Sequence, residues 1–310
     1  MDRCLPDGRL VGAETPVPRG GRVRITPRFV LSSRGWKAGD MAPSYALIVS
    51  QGRVADRTDG ALVGARRVGD AVSALLEIEP HVVGTPTPGL VDDWSVALPE
   101  AEATLSGLRA AVHDAISTGA TPLLITNTCA ASLGTLPAAA EHHPDAVVLW
   151  IDAHGDFNTP DTTDSGYLGG MVLAAACGLW DSGHGDGIDP TQVIVVGGRD
   201  IDVAEGELLA EAGVTVLAPS ESTPERVLEL VAGRPVWIHV DWDVLEPGYI
   251  PAAYRVGGGL LPHHVAAIFA ALPSDSVRGI ELAEFEAGDE EVPERVSVEL
   301  IVETLQHLLR

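Results

Sequence analysis

From Tyr45 onward the chain alternates two apolar patterns. Short runs rich in Val, Ile and Leu are followed by longer segments whose apolar positions recur every three to four residues. The first pattern predicts buried strands and the second amphipathic helices. Strands are expected at 45–50, 122–126, 146–151, 192–196, 214–217, 235–240 and 277–282. Helices are expected at 61–78, 95–117, 132–142, 169–177, 205–212, 224–232, 262–272 and 296–309. Leu62, Ala65, Val68, Val72 and Leu75 form one stripe, and Leu98, Leu105, Leu108, Val112 and Ile116 form another. Both stripes read as core. The alternation predicts an α/β fold of three αβα layers with a mostly parallel central sheet. Gly84 to Leu90 is a Gly/Pro-rich connection, and neither a repeat nor a linker divides residues 41–310.

Residues 1–40 break this pattern. They hold eight of the 20 basic residues, including Lys37, the only lysine, but four of the 44 acidic ones, with scattered Pro and Gly. They are expected to lie outside the fold, as a disordered extension or as sequence upstream of a start at Met41. The acidic residues and the lack of amphipathic period fit a transit peptide poorly. With 310 residues in all, the remainder suffices for one large α/β domain. A formal charge of −24 argues against nucleic acid or an anionic membrane as partner and leaves a small molecule or a protein. Cys4, Cys129 and Cys177 form no disulfide framework. No apolar run approaches the roughly 20 residues that span a bilayer. A soluble, cytoplasmic protein is expected.

The chemistry concentrates at Trp150-Ile151-Asp152-Ala153-His154-Gly155-Asp156-Phe157-Asn158. Asp152, His154 and Asp156 stand at i, i+2 and i+4 directly after an apolar run, so an extended backbone turns all three to one face. Such an alternation can also be a solvated strand end. A second element decides between these readings: Asp241 and Asp243 again sit i, i+2 after the run ending at Val240. Like charges gathered at two strand ends repel unless a cation lies between them. The other polar clusters also follow strands: Cys129, the trio Arg199, Asp200 and Asp202, and Glu284. In open α/β sheets that rim is where ligands bind. Four Asp carboxylates and one His suit Mn²⁺. With Asp152 and Asp241 bridging, they suffice for two ions roughly 3.5 to 4 Å apart, an arrangement that activates a shared water near neutral pH.

These motifs, together with Asn158 and the following Thr-Pro-Asp-Thr-Thr-Asp-Ser-Gly, and with Asp241-Trp242-Asp243 and Pro247, resemble the ureohydrolase family of arginases and agmatinases. The resemblance covers nearly all of residues 45–310. It implies the arginase-type αβα fold and a binuclear manganese centre that cleaves guanidino groups. Position by position it implies that Asp152 and Asp241 bridge two Mn²⁺, that Asp156 binds one ion, and that His154 and Asp243 bind the other. It further implies that Asn158 and Ser165 hold an α-carboxylate, Asp202 an α-ammonium and Glu284 the guanidinium, with Asp156 accepting a proton. Family members are often trimers or hexamers, so a homo-oligomer is an open expectation without an interface signal.

Two departures bear on the substrate. The family carries a histidine ligand in a Gly-Gly-Asp-His-Ser segment, but here the stretch reads Thr126-Asn127-Thr128-Cys129-Ala130-Ala131-Ser132. Cys129 is either a softer ligand or a buried thiol that leaves one ion short of a donor. Arginases also carry a proton-shuttling histidine where Gly169 stands, and its loss favours a substrate less dependent than arginine on leaving-group protonation. Further segments, among them Asn127-Thr128-Cys129 and Gly166-Tyr167-Leu168-Gly169-Gly170, resemble the branch of the family in D-cycloserine biosynthesis. That likeness implies hydrolysis of Nω-hydroxy-L-arginine to L-ornithine and hydroxyurea. The alternatives are an arginase or other guanidino-acid hydrolase, and a metal-poor binding protein of the same fold. His142, His143, His184, His239, His263 and His264 fall outside the ligand pattern and read as surface or packing residues.

Overall fold

Strands that are apolar on both sides need cover on both sides, and the chain supplies it by returning through a helix after almost every strand. A computed structural model describes residues 44–288 and 292–309. Residues 1–40, expected outside the fold, lie outside the described residues. In chain order the elements are β1 (Tyr45–Ser50), α1 (Gly60–Leu76), β2 (His81–Val83), α2 (Trp94–Ser117), β3 (Thr121–Ile125), α3 (Ser132–His142), β4 (Val147–Ile151) and α4 (Val172–Ala176). They continue with β5 (Val193–Val196), α5 (Val203–Ala212), β6 (Thr215–Leu217), α6 (Pro224–Val231), β7 (Val236–Asp241), α7 (Pro262–Ala271), β8 (Val277–Ala283) and α8 (Glu294–Leu305). One 8-stranded sheet runs in the order β2-β1-β3-β8-β7-β4-β5-β6. Each neighbouring pair in it is parallel, where the sequence predicts a mostly parallel sheet.

Alternation along the strands assigns the two faces. Leu149, Ile151, Ile238, Val240, Ile280 and Leu282 join a core with residues of α1, α6, α7 and α8. Val148, Trp150, Trp237 and Ala283 join a second core with residues of α2, α3 and α4. Trp150 pairs with His239, and His239 with Glu281, so these three form one cross-strand row by register. By the same alternation that row belongs to the second face. Extending the period-2 alternation one step brings Asp152 and Asp241 above the row, on the same face.

Two elements differ from the sequence-based expectation. The edge strand β2 is not predicted, because three residues are too few to show a period and its His81 and Val82 are exposed. Backbone pairing with Ile48 to Ser50 forms it. The single helix expected at 169–177 is instead a 3₁₀ turn at Gly169–Met171 followed by the short α4. Paired glycines favour helix poorly, and the backbone here is tied to the preceding loop. Asn158 N donates to Gly170 O at 3.0 Å, and Leu173 N to Asp156 O at 2.9 Å. Other boundaries shift by a few residues at most, as at α8, predicted from 296 and found from Glu294.

α1 seats against the chain that leaves β8. A Cβ built on Gly64 would lie 1.8 Å from the Phe285 carbonyl oxygen, a backbone atom that cannot swing aside. Phe285 directly follows Glu284, so this contact fixes where that carboxylate stands. Gly64→Ala is expected to lower the unfolding free energy by about 1–3 kcal/mol through overpacking, read by chemical denaturation; an unchanged midpoint would contradict this seating.

Candidate metal centre

β3, β8, β7, β4 and β5 are consecutive in the sheet, and each polar cluster singled out in the sequence follows one of them. Cys129 comes after β3, Glu284 after β8, and Asp152, His154 and Asp156 after β4. Asp241 ends β7, and Asp243 occupies the next 3₁₀ turn. Short local hydrogen bonds turn these carboxylates upward. Asp152 Oδ1 accepts from His154 N at 2.7 Å, and Asp241 Oδ1 from Asp243 N at 2.8 Å. Asp243 Oδ1 accepts from Ala153 N at 3.2 Å, which joins the two loops. Asp156 and Glu284 take positive φ values of 47° and 62°. Non-glycine residues are costly there, so the surrounding packing holds both in place.

The donor atoms converge. Asp152, His154 and Asp243 present ligand atoms within 4.8 Å of one another, as do Cys129, Asp241 and Glu284, and Cys129, Asp152 and His239. His154 Nδ1 is 3.0 Å from Asp243 Oδ2 and 3.4 Å from Asp152 Oδ1. Cys129 Sγ is 3.3 Å from Asp241 Oδ2. Cys129 N donates to Glu284 Oε1 at 3.0 Å. All of these residues are buried except His154, which is partly exposed.

This is a costly grouping of charge for a protein interior. Burial, and then the charge of Asp243, raises the Asp241 carboxyl well above the carboxylate range. Burial and the charge of Asp152 raise Asp156 well above it and push Asp243 up to about 7. Burial pushes Glu284 up to about 8 against the opposing hydrogen bonds from Cys129 N and Tyr167. Burial, then Asp241, raises the Cys129 thiol. Burial alone would lower His154, but the Asp152 and Asp243 carboxylates outweigh it and hold the imidazole cationic. Asp156 Oδ2 is buried with no hydrogen-bond partner among the described residues. A cluster in which Asp156, Asp241, Asp243 and Glu284 resist ionisation, with Asp156 Oδ2 orphaned, fits divalent cations as the missing counter-charge.

A cavity of about 230 Å³ opens beside this cluster, lined by Glu284, Arg57, Tyr167, Tyr254 and Glu286 among others. Tyr167 OH donates to Glu284 Oε1 at 2.9 Å. The Arg57 guanidinium lies over the Tyr167 ring, 4.7 Å from its centre, and donates to Tyr254 OH at 2.8 Å and to Ser165 O at 3.1 Å. The space beside Gly169 is filled: a Cβ there would lie 2.4 Å from the Tyr167 ring.

The remaining predicted residues are spread around this centre. Asn158 is buried, and its Oδ1 accepts from Thr162 Oγ1 at 2.9 Å. Ser165 is exposed, and its Oγ accepts from Tyr167 N at 3.2 Å. Asp202 is exposed at the N-cap of α5 without a side-chain capping bond. Arg199 is structural, donating to the carbonyls of Gly197, Asp243, Val244, Leu245 and Val256. Asp200 Oδ2 stands 3.5 Å from His154 Nε2.

The sequence reading missed the layer beneath. His239, read as a surface or packing residue, is fully buried, with Nε2 3.3 Å from Cys129 Sγ. Trp150 Nε1 donates to Asp152 Oδ2 at 3.0 Å. Glu205 is buried and accepts from Phe157 N at 2.8 Å, pinning the loop that carries Asp156. For His239 the signal was present, since it precedes Asp241 by the same two-residue step that marked the carboxylates.

Comparison with known proteins bears on this arrangement. Residues 53–306 match the family described as the arginase family. The N(omega)-hydroxy-L-arginine amidinohydrolase of Streptomyces lavendulae is 56% identical over 241 residues, covering 78% of this chain and 88% of that protein. The native arginase of Bacillus caldovelox superposes with a TM-score of 0.75 at 24% identity, over 87% of this chain and 98% of that one. Entamoeba histolytica arginase in complex with L-ornithine gives 0.76 at 18% identity, over 87% and 99%. The two structures share the fold. The family match spans the sheet from its first βα loop to its last helix, strand-end carboxylates included, and the chain belongs to the arginase family.

Proposed function

We propose that this chain hydrolyses the guanidino group of Nω-hydroxy-L-arginine to L-ornithine and hydroxyurea, using two Mn²⁺ held by Cys129, Asp152, His154, Asp156, Asp241 and Asp243. The carrying observation is the position of Glu284. It shares a donor group with Cys129 and Asp241 and also lines the cavity. A guanidinium bound to its carboxylate therefore stands against the ligand cluster. The 56% identity to a relative named for this substrate supports the choice of guanidine. The resemblance set out above implies a place in D-cycloserine biosynthesis, and the cysteine usage favours the cytoplasm.

When bound, the ions supply Lewis acidity and make water a competent nucleophile near neutral pH. The chain's residues do the rest. Glu284 orients the guanidinium, whose charge draws the carboxylate back to its ionised form. Asp156 Oδ2, which lacks a hydrogen-bond partner among the described residues, receives the proton released by the attacking water and delivers it to the departing δ-nitrogen. Asn158 and Ser165 hold the α-carboxylate and Asp202 the α-ammonium, with Arg57 adding positive charge beside Ser165. The departing amine is that of ornithine for arginine and for its hydroxylated form alike. Leaving-group basicity therefore does not separate the two substrates. The hydroxyl withdraws electron density from the guanidine and makes its carbon easier to attack, and this is the difference the site exploits.

Steady-state turnover of Nω-hydroxy-L-arginine, arginine and guanidinobutyrate by manganese-loaded protein tests the assignment. The highest kcat/KM is expected on the first, and a preference for arginine would overturn it. Asp156→Asn is expected to lower kcat by about 10²–10⁴-fold, with full turnover in a metal-replete variant as the contrary result. Gly169→His, which would restore the arginase residue, is expected to collide with the Tyr167 ring and reduce activity on both substrates. A gain on arginine would show that the space beside Gly169 is open.

A further inference from the structure

Beneath the rim carboxylates lies a second polar row that the reaction above does not use. Glu281, His239 and Trp150 are register partners on β8, β7 and β4, and all three are fully buried. Glu281 Oε2 accepts from Ser132 Oγ at 2.6 Å and lies 3.0 Å from His239 Nδ1, while Thr135 Oγ1 donates to Oε1. A carboxylate surrounded by donors is fixed as an acceptor. With Nδ1 as the donor to that carboxylate, the neutral imidazole presents its Nε2 lone pair on the opposite side. The imidazole cannot swing away, because it stacks on Trp150 with ring centres 3.6 Å apart and planes within 5°.

That lone pair faces Cys129 Sγ at 3.3 Å. The same sulfur lies 3.3 Å from Asp241 Oδ2. A thiol has one proton and these are two acceptors, so a hydrogen bond satisfies only one of them. A cation bound to the sulfur in place of that proton accepts the Nε2 lone pair as well, and sets positive charge beside Asp241. We propose that His239 is a metal ligand, its Nε2 joining Cys129 Sγ and an Asp152 oxygen to hold the cation nearest the sheet.

Three observations carry this assignment. Ligand atoms of Cys129, Asp152 and His239 lie within 4.8 Å of one another. Bonds of about 2.3 Å to sulfur and about 2.0–2.1 Å to nitrogen, meeting between a right and a tetrahedral angle, set these donors about 3.1–3.6 Å apart, a range that includes the observed 3.3 Å. A ligating histidine also characteristically donates its other N–H to a carboxylate, which is the position of Glu281. The imidazole that position 129 lacks is thus supplied from β7, two strands away across β8. Thiolate, imidazole and carboxylate together also admit a borderline ion such as Zn²⁺, which makes it a usable probe of this site.

The inference rests on the metal-dependent reading of the rim but is tested apart from turnover. Metal-free full-length protein is loaded with one equivalent of Zn²⁺, and X-ray absorption at the zinc edge reads its ligands. One sulfur and an imidazole on the same ion are expected, because His154 shares no donor group with Cys129. A shell without sulfur, or sulfur without imidazole, would overturn the assignment. In His239→Gln and Glu281→Gln the zinc dissociation constant is expected to rise by about 10–100-fold or more, with circular dichroism checking the fold. Unchanged affinity in a folded His239→Gln protein would also overturn it. Failure of the proposed reaction would look different: no hydroxyarginine turnover by protein whose zinc keeps both sulfur and imidazole.

Discussion

The constraint on which this molecule turns is electrostatic. Asp152, Asp156, Asp241, Asp243 and Glu284 are all buried at one rim; burial and neighbouring rim carboxylates push up Asp156, Asp241 and Asp243, and burial pushes up Glu284. Asp152 is held low against its burial chiefly by its hydrogen bonds to His154 and that residue's charge. One cationic imidazole does not neutralise such a group, and a fold assembled around it needs further positive charge. The parallel sheet creates the problem and its use together. It brings the carboxyl ends of five consecutive strands to one edge, where backbone turns hold each side chain before any ligand arrives.

Strand alternation then stacks the chemistry in layers. Asp152 and Asp241 continue the rows of Trp150 and His239 by period 2, so the ligands stand on an aromatic and polar floor rather than on aliphatic core. Trp150 reaches up to Asp152, and His239 to Cys129. On the other side of the sheet the same strands present Leu149, Ile238 and Val240 to an apolar core. Rigidity in that core keeps the rim geometry fixed, since close-packed interiors deform little.

The αβα architecture and the rim carboxylates were legible because both depend on local periodicity. Apolar runs marked the strands, and i, i+2 spacing marked Asp152, His154, Asp241 and Asp243. What escaped was set by partners distant in sequence. Glu281 has meaning only because β8 lies beside β7, and Ser132 and Thr135 reach it from α3. Arg57 and Tyr167 meet across the cavity from loops more than a hundred residues apart, and the Tyr167 ring fills the space beside Gly169. Gly169–Gly170 read as part of a helix because apolar periodicity does not register the hydrogen bonds that tie this segment to the Asp156 loop.

The central claim is that the buried carboxylates form a binuclear centre rather than a strained polar floor. Elemental analysis of the full-length protein after loading with manganese and removal of unbound metal measures this directly. The account predicts two ions per chain; one ion or none would contradict it.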